Sequence, residues 1–490
     1  MSIVFPSLSD NVRVPFIYGE FDPTGASDDP SQMPYTVLMV GQMLDTGKAD
    51  PHVPARPMSK KQADDLFGQG SQLAEMCTAY LEANVLTKMM AIPVPDADVG
   101  VKAEGAISLS GTVTNGTPLC LYIGGVLVRA AANFNSEGAT VASALATAIN
   151  ANPDLPVTAT FSLGQVTLTA RHKGEMGNDI DLRLSYYKEP IPAGLTINIT
   201  KMTGGAGNPD AAPIIAAMGN DQYHVIAWPW TDNASLAYLR DELDDRWGPL
   251  RQIDGQAIAI KRGTFGEVVT FTGARNDKGL TVFASEGSPT NPWKDAAATV
   301  GVISYYANTD PARGFRTLKI PGVLAPAPDD RWPDFPEKNQ GLFEGLSTRY
   351  VAPDGTLRLQ KAITTHRMNE LGAEDKAYLS LNSPLTLSYL RYDWRNYLLL
   401  KYPRHKLAGD ADAKFYGTTQ PIMTPKLGRA EAIARFKVWL EMGLVEGLEQ
   451  FTNELVVERH SKNENRMDWL LRPNLMNQFE VGGVLFRHIV

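Results

Sequence analysis

The sequence predicts a mixed α/β protein of several domains, and three observations carry that expectation. The first is size: 490 residues exceed what one hydrophobic core organises, and about 100 to 200 residues per domain gives about three domains. The second is an alternation of strand-like and helix-like segments beyond residue 220, which favours helices packed on a sheet. The third is a change of pattern between about Gly105 and Gly204, where short strands are punctuated by Asn115-Gly116, Gly124-Gly125 and Leu163-Gly164, the signature of an antiparallel module. The resulting division is an N-terminal arm (1–20), an α/β core (21–100 and 205–340), an inserted β-rich domain with one helix (101–204), a C-terminal domain (341–475) and a C-terminal strand arm (476–490).

In chain order, Val12, Val14, Phe16 and Tyr18 alternate as a strand, and Pro15 confines it to an edge because it has no N–H to donate. Tyr35–Gly41 reads as a short buried strand. Ser59 with Gln62 forms a capping box for a helix ending at Phe67. Leu73, Met76, Cys77, Tyr80 and Leu81 share one helical face, which makes Cys77 a core thiol. Gly68 and Gly70 punctuate these helices and lack the Lys-Ser/Thr pair of a phosphate loop. Inside the insertion, Val141, Leu145 and Ile149 mark one helix from Ala139 to Asn150. Beyond it come strands at Tyr223–Trp228, Gln256–Lys261 and Leu280–Ala284, and helices bearing Leu236, Leu239, Leu243 and Trp247 and spanning Lys294–Asn308. After the Pro-rich loop Pro321–Pro336 follow a strand at Thr356–Thr364, a helix capped by Ser383 with Pro384 at its first position, and a long helix with Ile433, Phe436, Leu440 and Leu444 inward. Leu455 and Val457 belong to another strand. From Gln478 to Val490 the apolar β-formers Phe479, Val481, Val484 and Phe486, broken by Gly482-Gly483, predict a strand that needs an edge to pair with, and another subunit can supply one.

Composition excludes several functions. The net charge of −8 argues against a dedicated nucleic-acid binder, although residues 341–490 carry +3 and the remainder −11. Cys77 and Cys120 alone give no disulfide framework or metal spacing. No segment reaches the roughly 18 apolar residues of a membrane span and no secretory leader is evident, so a soluble, unsecreted product is expected. The seven histidines form no metal motif, so neither metal nor cofactor is expected. Glu286-Gly287-Ser288-Pro289-Thr290 approaches a nucleophile elbow but lacks its second glycine. Asp244-Asp245 and Asp329-Asp330 read as solvated or capping pairs. Aromatics and cations interleave from Arg391 to Lys406; Leu387, Leu390, Trp394, Tyr397 and Leu398 fall on one core face, which leaves Arg391, Arg395, Lys401, Arg404 and Lys406 as candidates for a charged protein contact.

The segments Asp310–Leu318, Gly345–Thr348, Arg358–His366, Tyr402–Leu407, Thr424–Lys426, Asn465–Asp468 and Asn474–Phe479, with Ala170–Asn178 and Thr203–Pro209 in the insertion, resemble the contractile tail sheath proteins of bacteriophages, especially their Mu-like branch. The resemblance spans nearly the whole chain. It implies a structural subunit without catalytic residues, assembled in the host cytoplasm into hexameric rings stacked around a tail tube, with baseplate and tail terminator proteins as further partners. It also implies a core of subtilisin-like architecture without the triad, an inner C-terminal domain touching the tube through some of the five cations, and strand arms donated to neighbouring subunits. Contraction would drive the tube through the host envelope and eject the genome without direct nucleic-acid binding or membrane insertion. A non-contractile tube protein and a hydrolase on the α/β region are the alternatives.

Overall fold

The computed structural model describes residues 33–416 and 420–488. It divides into two compact units, one holding residues 35–388 and the tail from Leu475, the other holding Tyr389–Asn474. The arm predicted at Val12, Val14, Phe16 and Tyr18 lies outside the described residues.

The larger unit starts with β1 (Thr36–Gln42), α1 (Lys60–Phe67), α2 (Gln72–Ala83) and β2 (Lys88–Val94). Ser59 caps α1 by accepting from the Gln62 amide, whereas the Gln62 side chain reaches back to Met58 rather than to Ser59. Leu73, Met76, Cys77 and Tyr80 are buried on α2 as the periodicity predicts, and burial pushes the Cys77 thiol up.

The insertion follows: β3 (Lys102–Gly111), β4 (Leu119–Ile123), β5 (Val126–Ala130), α3 (Gly138–Asn150), β6 (Val157–Ser162), β7 (Gln165–Lys173), β8 (Leu182–Leu184) and β9 (Leu195–Thr203). They make two antiparallel sheets, ordered β6-β7-β3-β9 and β5-β4-β8, and α3 packs against strands of both through Val141, Leu145 and Ile149. Gly124-Gly125 and Leu163-Gly164 close the β4–β5 and β6–β7 hairpins with both central residues at positive φ, the geometry that favours glycine. Asn115-Gly116 makes no hairpin. It lies in the connection between the two sheets, where the Asn115 side chain accepts from the Ala193 amide at 2.7 Å.

The chain then returns to the first sheet through α4 (Ala211–Met218), β10 (Val225–Ala227), α5 (Asn233–Trp247), β11 (Gln256–Lys261), α6 (Phe265–Gly273), β12 (Leu280–Ala284), α7 (Pro292–Thr309), α8 (Asn339–Phe343), β13 (Leu346–Val351) and β14 (Leu357–Lys361). The seven strands are ordered β14-β13-β12-β11-β10-β1-β2, all neighbours parallel except the β13–β14 edge pair. Central strands such as β11 and β12 are buried along nearly their whole length, as parallel strands covered on both faces must be. The sheet runs on through β14, past residue 340 where the sequence suggests that the core ends. Arg349 on β13 fastens α7 to this sheet: its Nη1 donates to both Asp295 carboxylate oxygens at 2.6 and 2.7 Å, and its Nη2 donates to the Ala284 carbonyl. Arg349 and Asp295 are 1% and 0% exposed, and Thr299 donates to the same carboxylate.

Helix α9 (Asn382–Lys401) begins one residue before Ser383, so Ser383 lies in its first turn rather than capping it, and the Asn382 side chain donates to the Pro311 and Arg313 carbonyls. The smaller unit comprises the part of α9 from Tyr389, β15 (Lys406–Leu407), β16 (Ile422–Met423), α10 (Pro425–Glu441), β17 (Val445–Glu446), α11 (Leu448–Glu454), β18 (Val456–Arg459) and β19 (Met467–Leu470). The buried face of α10 carries Ala432, Arg435, Phe436 and Trp439; Ile433 and Leu440 are only half-buried, and Leu444 is buried beyond the helix end. The shift has a physical cause: Asp393 on α9 accepts from Arg435 at 2.5 and 2.6 Å and from Trp439 Nε1 at 2.6 Å, so the unit buries an ion pair that a hydrophobic pattern cannot register.

Candidate assembly surfaces

The strand order reverses between β1 and β10, and open α/β sheets bind ligands in the crevice at such a reversal. Here the inserted domain fills it. Gln42, the last residue of β1, donates its backbone amide to Gln72 Oε1 at 2.8 Å and its side chain to Asp96 and the Lys173 carbonyl at 2.7 and 2.8 Å. His172 donates from Nδ1 to Asp96 at 2.8 Å and accepts the Gln72 amide at Nε2. Burial works to raise the Asp96 pKa, but the bonds from His172, Lys173 and Gln42 outweigh it and hold the carboxyl below its ordinary value.

The neighbouring strand ends are closed as well. Arg183 of the insertion donates to the Gly287 carbonyl at 2.9 Å, and Arg262 donates to the Ser288 and Thr290 carbonyls at 2.9 Å. Ser288, the nearest approach to a nucleophile in the sequence, is buried, donates its hydroxyl to the Leu324 carbonyl at 2.7 Å and accepts the Thr290 amide at 3.2 Å. Its bonds are those of a loop staple. The paired aspartates are surface partners: Asp244 faces Lys278, Asp245 faces Arg251 and Asp330 faces Arg183. Among the described residues no three His, Cys, Asp or Glu side chains converge as metal ligands, and no helix is long and apolar enough to cross a membrane.

Surfaces left unsatisfied lie elsewhere. The predicted strand Gln478–Val490 is not a strand within its described residues, which pair with no ladder. Extended backbone gains ladder hydrogen bonds only from a neighbouring edge, and the tail finds no such edge among the described residues. Phe479, Val481, Val484 and Phe486 are 74 to 89% exposed, an arrangement with no counterpart in the larger unit's core. The root of the tail is nonetheless held. Gln478 donates to the Ala312 carbonyl, Lys361 is ion-paired with Glu480, and Arg316 donates to the Glu480 carbonyl at 3.0 Å with its guanidinium 6.0 Å from the Phe479 ring. Beside it runs a groove of about 610 Å³ whose lining includes Phe315, Leu342, Ile363, Leu379, Phe479 and Val481. Sequence reasoning missed Arg316 and Lys361, which lie 164 and 119 residues from Glu480; no local pattern joins them.

The five candidate cations differ. Lys401 is committed inside the smaller unit, 2.9 Å from Glu431 and from the Tyr397 hydroxyl, and Lys406 donates to Gln420 at 2.9 Å. Arg391 is half-buried, while Arg395 and Arg404 are exposed. The expected core face is only partly realised: Leu390 is buried, whereas Leu387, Trp394, Tyr397 and Leu398 are half-buried, with Trp394 lying edge-on to Trp439 and Trp469. Alongside them β18 and β19 form an antiparallel ribbon of two strands, paired from Val456–Leu470 to Arg459–Met467. The strand expected around Val457 is β18, and its partner is β19. Neither outer edge of the ribbon has a partner among the described residues.

A sheet sealed at its ligand crevice, together with open ribbon edges and an exposed apolar tail, defines a class of protein built for assembly. Residues 204–365 match the central domain of phage tail sheath proteins, and residues 373–483 match the phage tail sheath C-terminal domain. The chain is 41% identical over 482 residues, 98% of both chains, to the Mu-like prophage FluMu tail sheath protein of Haemophilus influenzae. It belongs to the phage tail sheath family, structural components of the virion. Its fold is similar to a sheath tail protein from Desulfitobacterium hafniense (TM-score 0.50, 12% identity, 95% of this chain and 98% of that one). A sheath tail protein from Listeria innocua matches with a TM-score of 0.49 and 11% identity over 93% of this chain and 95% of that one.

Proposed function

We propose that this chain is the subunit of a contractile sheath that stacks as hexameric rings around a tail tube and shortens to drive the tube through the host envelope, with baseplate and tail terminator proteins at its ends. The observation that carries this reading is the exposed apolar run Phe479, Val481, Val484 and Phe486, together with a β18–β19 ribbon whose edges are both open among the described residues. An isolated two-stranded ribbon is marginal in water, and a donated strand supplies directional main-chain bonds that keep subunits linked while they rotate. The N-terminal arm, the outward position of the insertion and a subtilisin-like origin for the sheet belong to the same reading. Bistable subunit interfaces, rather than nucleotide hydrolysis, supply the work.

The test is assembly with the tail tube protein, scored by negative-stain microscopy. The full chain forms cylinders of two lengths, a chain lacking Gln478–Val490 stays dispersed and folded, and cylinders of normal length from the truncated chain would refute the arm mechanism. A single cylinder length under all conditions would favour a non-contractile tube. Salt or reversal of Arg395 and Arg404 weakens tube association if exposed cations face the tube.

A further inference from the structure

We propose that Glu480 is a fixed anchor that ends the body of the subunit, so that the donated segment begins at Val481. The inference rests on the strand-donation reading above and adds to it where the arm starts and what aims it. Four contacts converge on three consecutive residues: Gln478 with Ala312, the Phe479 ring beside Arg316, and Glu480 with both Lys361 and Arg316. All the receiving groups belong to one rigid neighbourhood, because Lys361 ends β14 of the seven-stranded sheet and the Thr317 amide and carbonyl meet Leu359 and Arg358 of that strand. Gly314 leaves room for the root, since a Cβ there would lie 2.6 Å from Gln478 Oε1. Beyond Glu480 the exposure already seen at Phe479 continues through Val481, Val484, Leu485 and Phe486, but the anchoring contacts end, and Gly482 and Gly483 follow.

A tail held at its root explores a smaller volume than one loose from Leu475 onward, so a neighbour captures it at lower entropic cost. The anchor is therefore a positioning device, and it predicts a sign. Loosening it slows assembly. A clasp that instead kept the tail out of use would make the same loosening speed assembly.

The experiment compares the full chain with Lys361→Glu, with the charge swap Lys361→Glu/Glu480→Lys, and with a chain ending at Glu480. A nitroxide on V481C reports root mobility in the free subunit; Cys77 and Cys120 are buried and escape labelling. Lys361→Glu mobilises the label and slows assembly on the tube about two- to fivefold, the scale of one partly exposed ion pair, and the swap restores both. An immobile label in Lys361→Glu overturns the anchor, and assembly at or above the normal rate overturns its positioning role. If the chain ending at Glu480 assembles normally, the strand-donation reading fails instead; if that chain fails while Lys361→Glu assembles normally, only the anchor is lost.

Discussion

The seven-stranded sheet of the larger unit and the β18–β19 ribbon of the smaller one treat hydrogen bonding differently. In the larger one, seven strands share a continuous ladder, its crevice is filled by Gln42, Asp96 and His172, and one buried pair, Arg349–Asp295, ties α7 to the sheet. The smaller unit also buries a pair, Arg435–Asp393, but its β18–β19 ribbon stops at two strands. The same device, a desolvated guanidinium on a carboxylate, serves a completed layer in one and an incomplete one in the other. A unit can thus be rigid inside and still present unpaired edges, which is what a subunit must do if it is to be completed by copies of itself.

The sharpest way to break the comparison is to break the pair that secures the completed layer. Arg349→Ala leaves Asp295 buried and uncompensated and should cost about 3–5 kcal/mol of stability, read from denaturant unfolding; a loss under about 1 kcal/mol would mean that the sheet does not depend on it. Next in size is an acid effect at His224, which stacks on Tyr35 and accepts the Thr36 amide. Burial lowers its pKa to about 4, so as pH falls the unfolded chain takes up the proton first. The resulting stability is complete above the ordinary histidine range and is lost progressively down to about pH 4, by up to about 3 kcal/mol. His224→Gln should flatten the stability curve in that window, and an unchanged slope would contradict the assignment. The smallest expected change in stability is at the ribbon: Val456→Lys, at a half-exposed edge position, should alter unfolding by no more than about 0.5 kcal/mol and yet reduce assembly. Normal cylinders from this variant would remove the ribbon as acceptor.

Much of the layered core was legible in the residues because its signals are local. Gln256–Lys261 and Leu280–Ala284 are continuous apolar runs of strand length and fold as such; Gly124-Gly125 closes a hairpin because its backbone must turn left-handed. Other features were not. The helix α10 misleads because Arg435 and Glu431 sit on its inward face, where a hydrophobic pattern places only apolar residues, and Asn115-Gly116 has hairpin chemistry but joins two sheets.

For the candidate surfaces the same division holds. Sequence alone determined several strand and helix segments of the core, though not β2, β13, α4 or α6, as well as the antiparallel insertion, the buried thiol of Cys77 and the apolar character of Phe479–Phe486, since each follows from side-chain periodicity and turn chemistry within a few residues. Only the tertiary structure decided that the sheet's crevice is closed by the insertion, that Ser288 staples a loop, and that the tail is held at Glu480 by Lys361 and Arg316 before it leaves the body. Those outcomes depend on groups 36 to 164 residues apart meeting in space, and periodicity along a chain carries no information about such meetings.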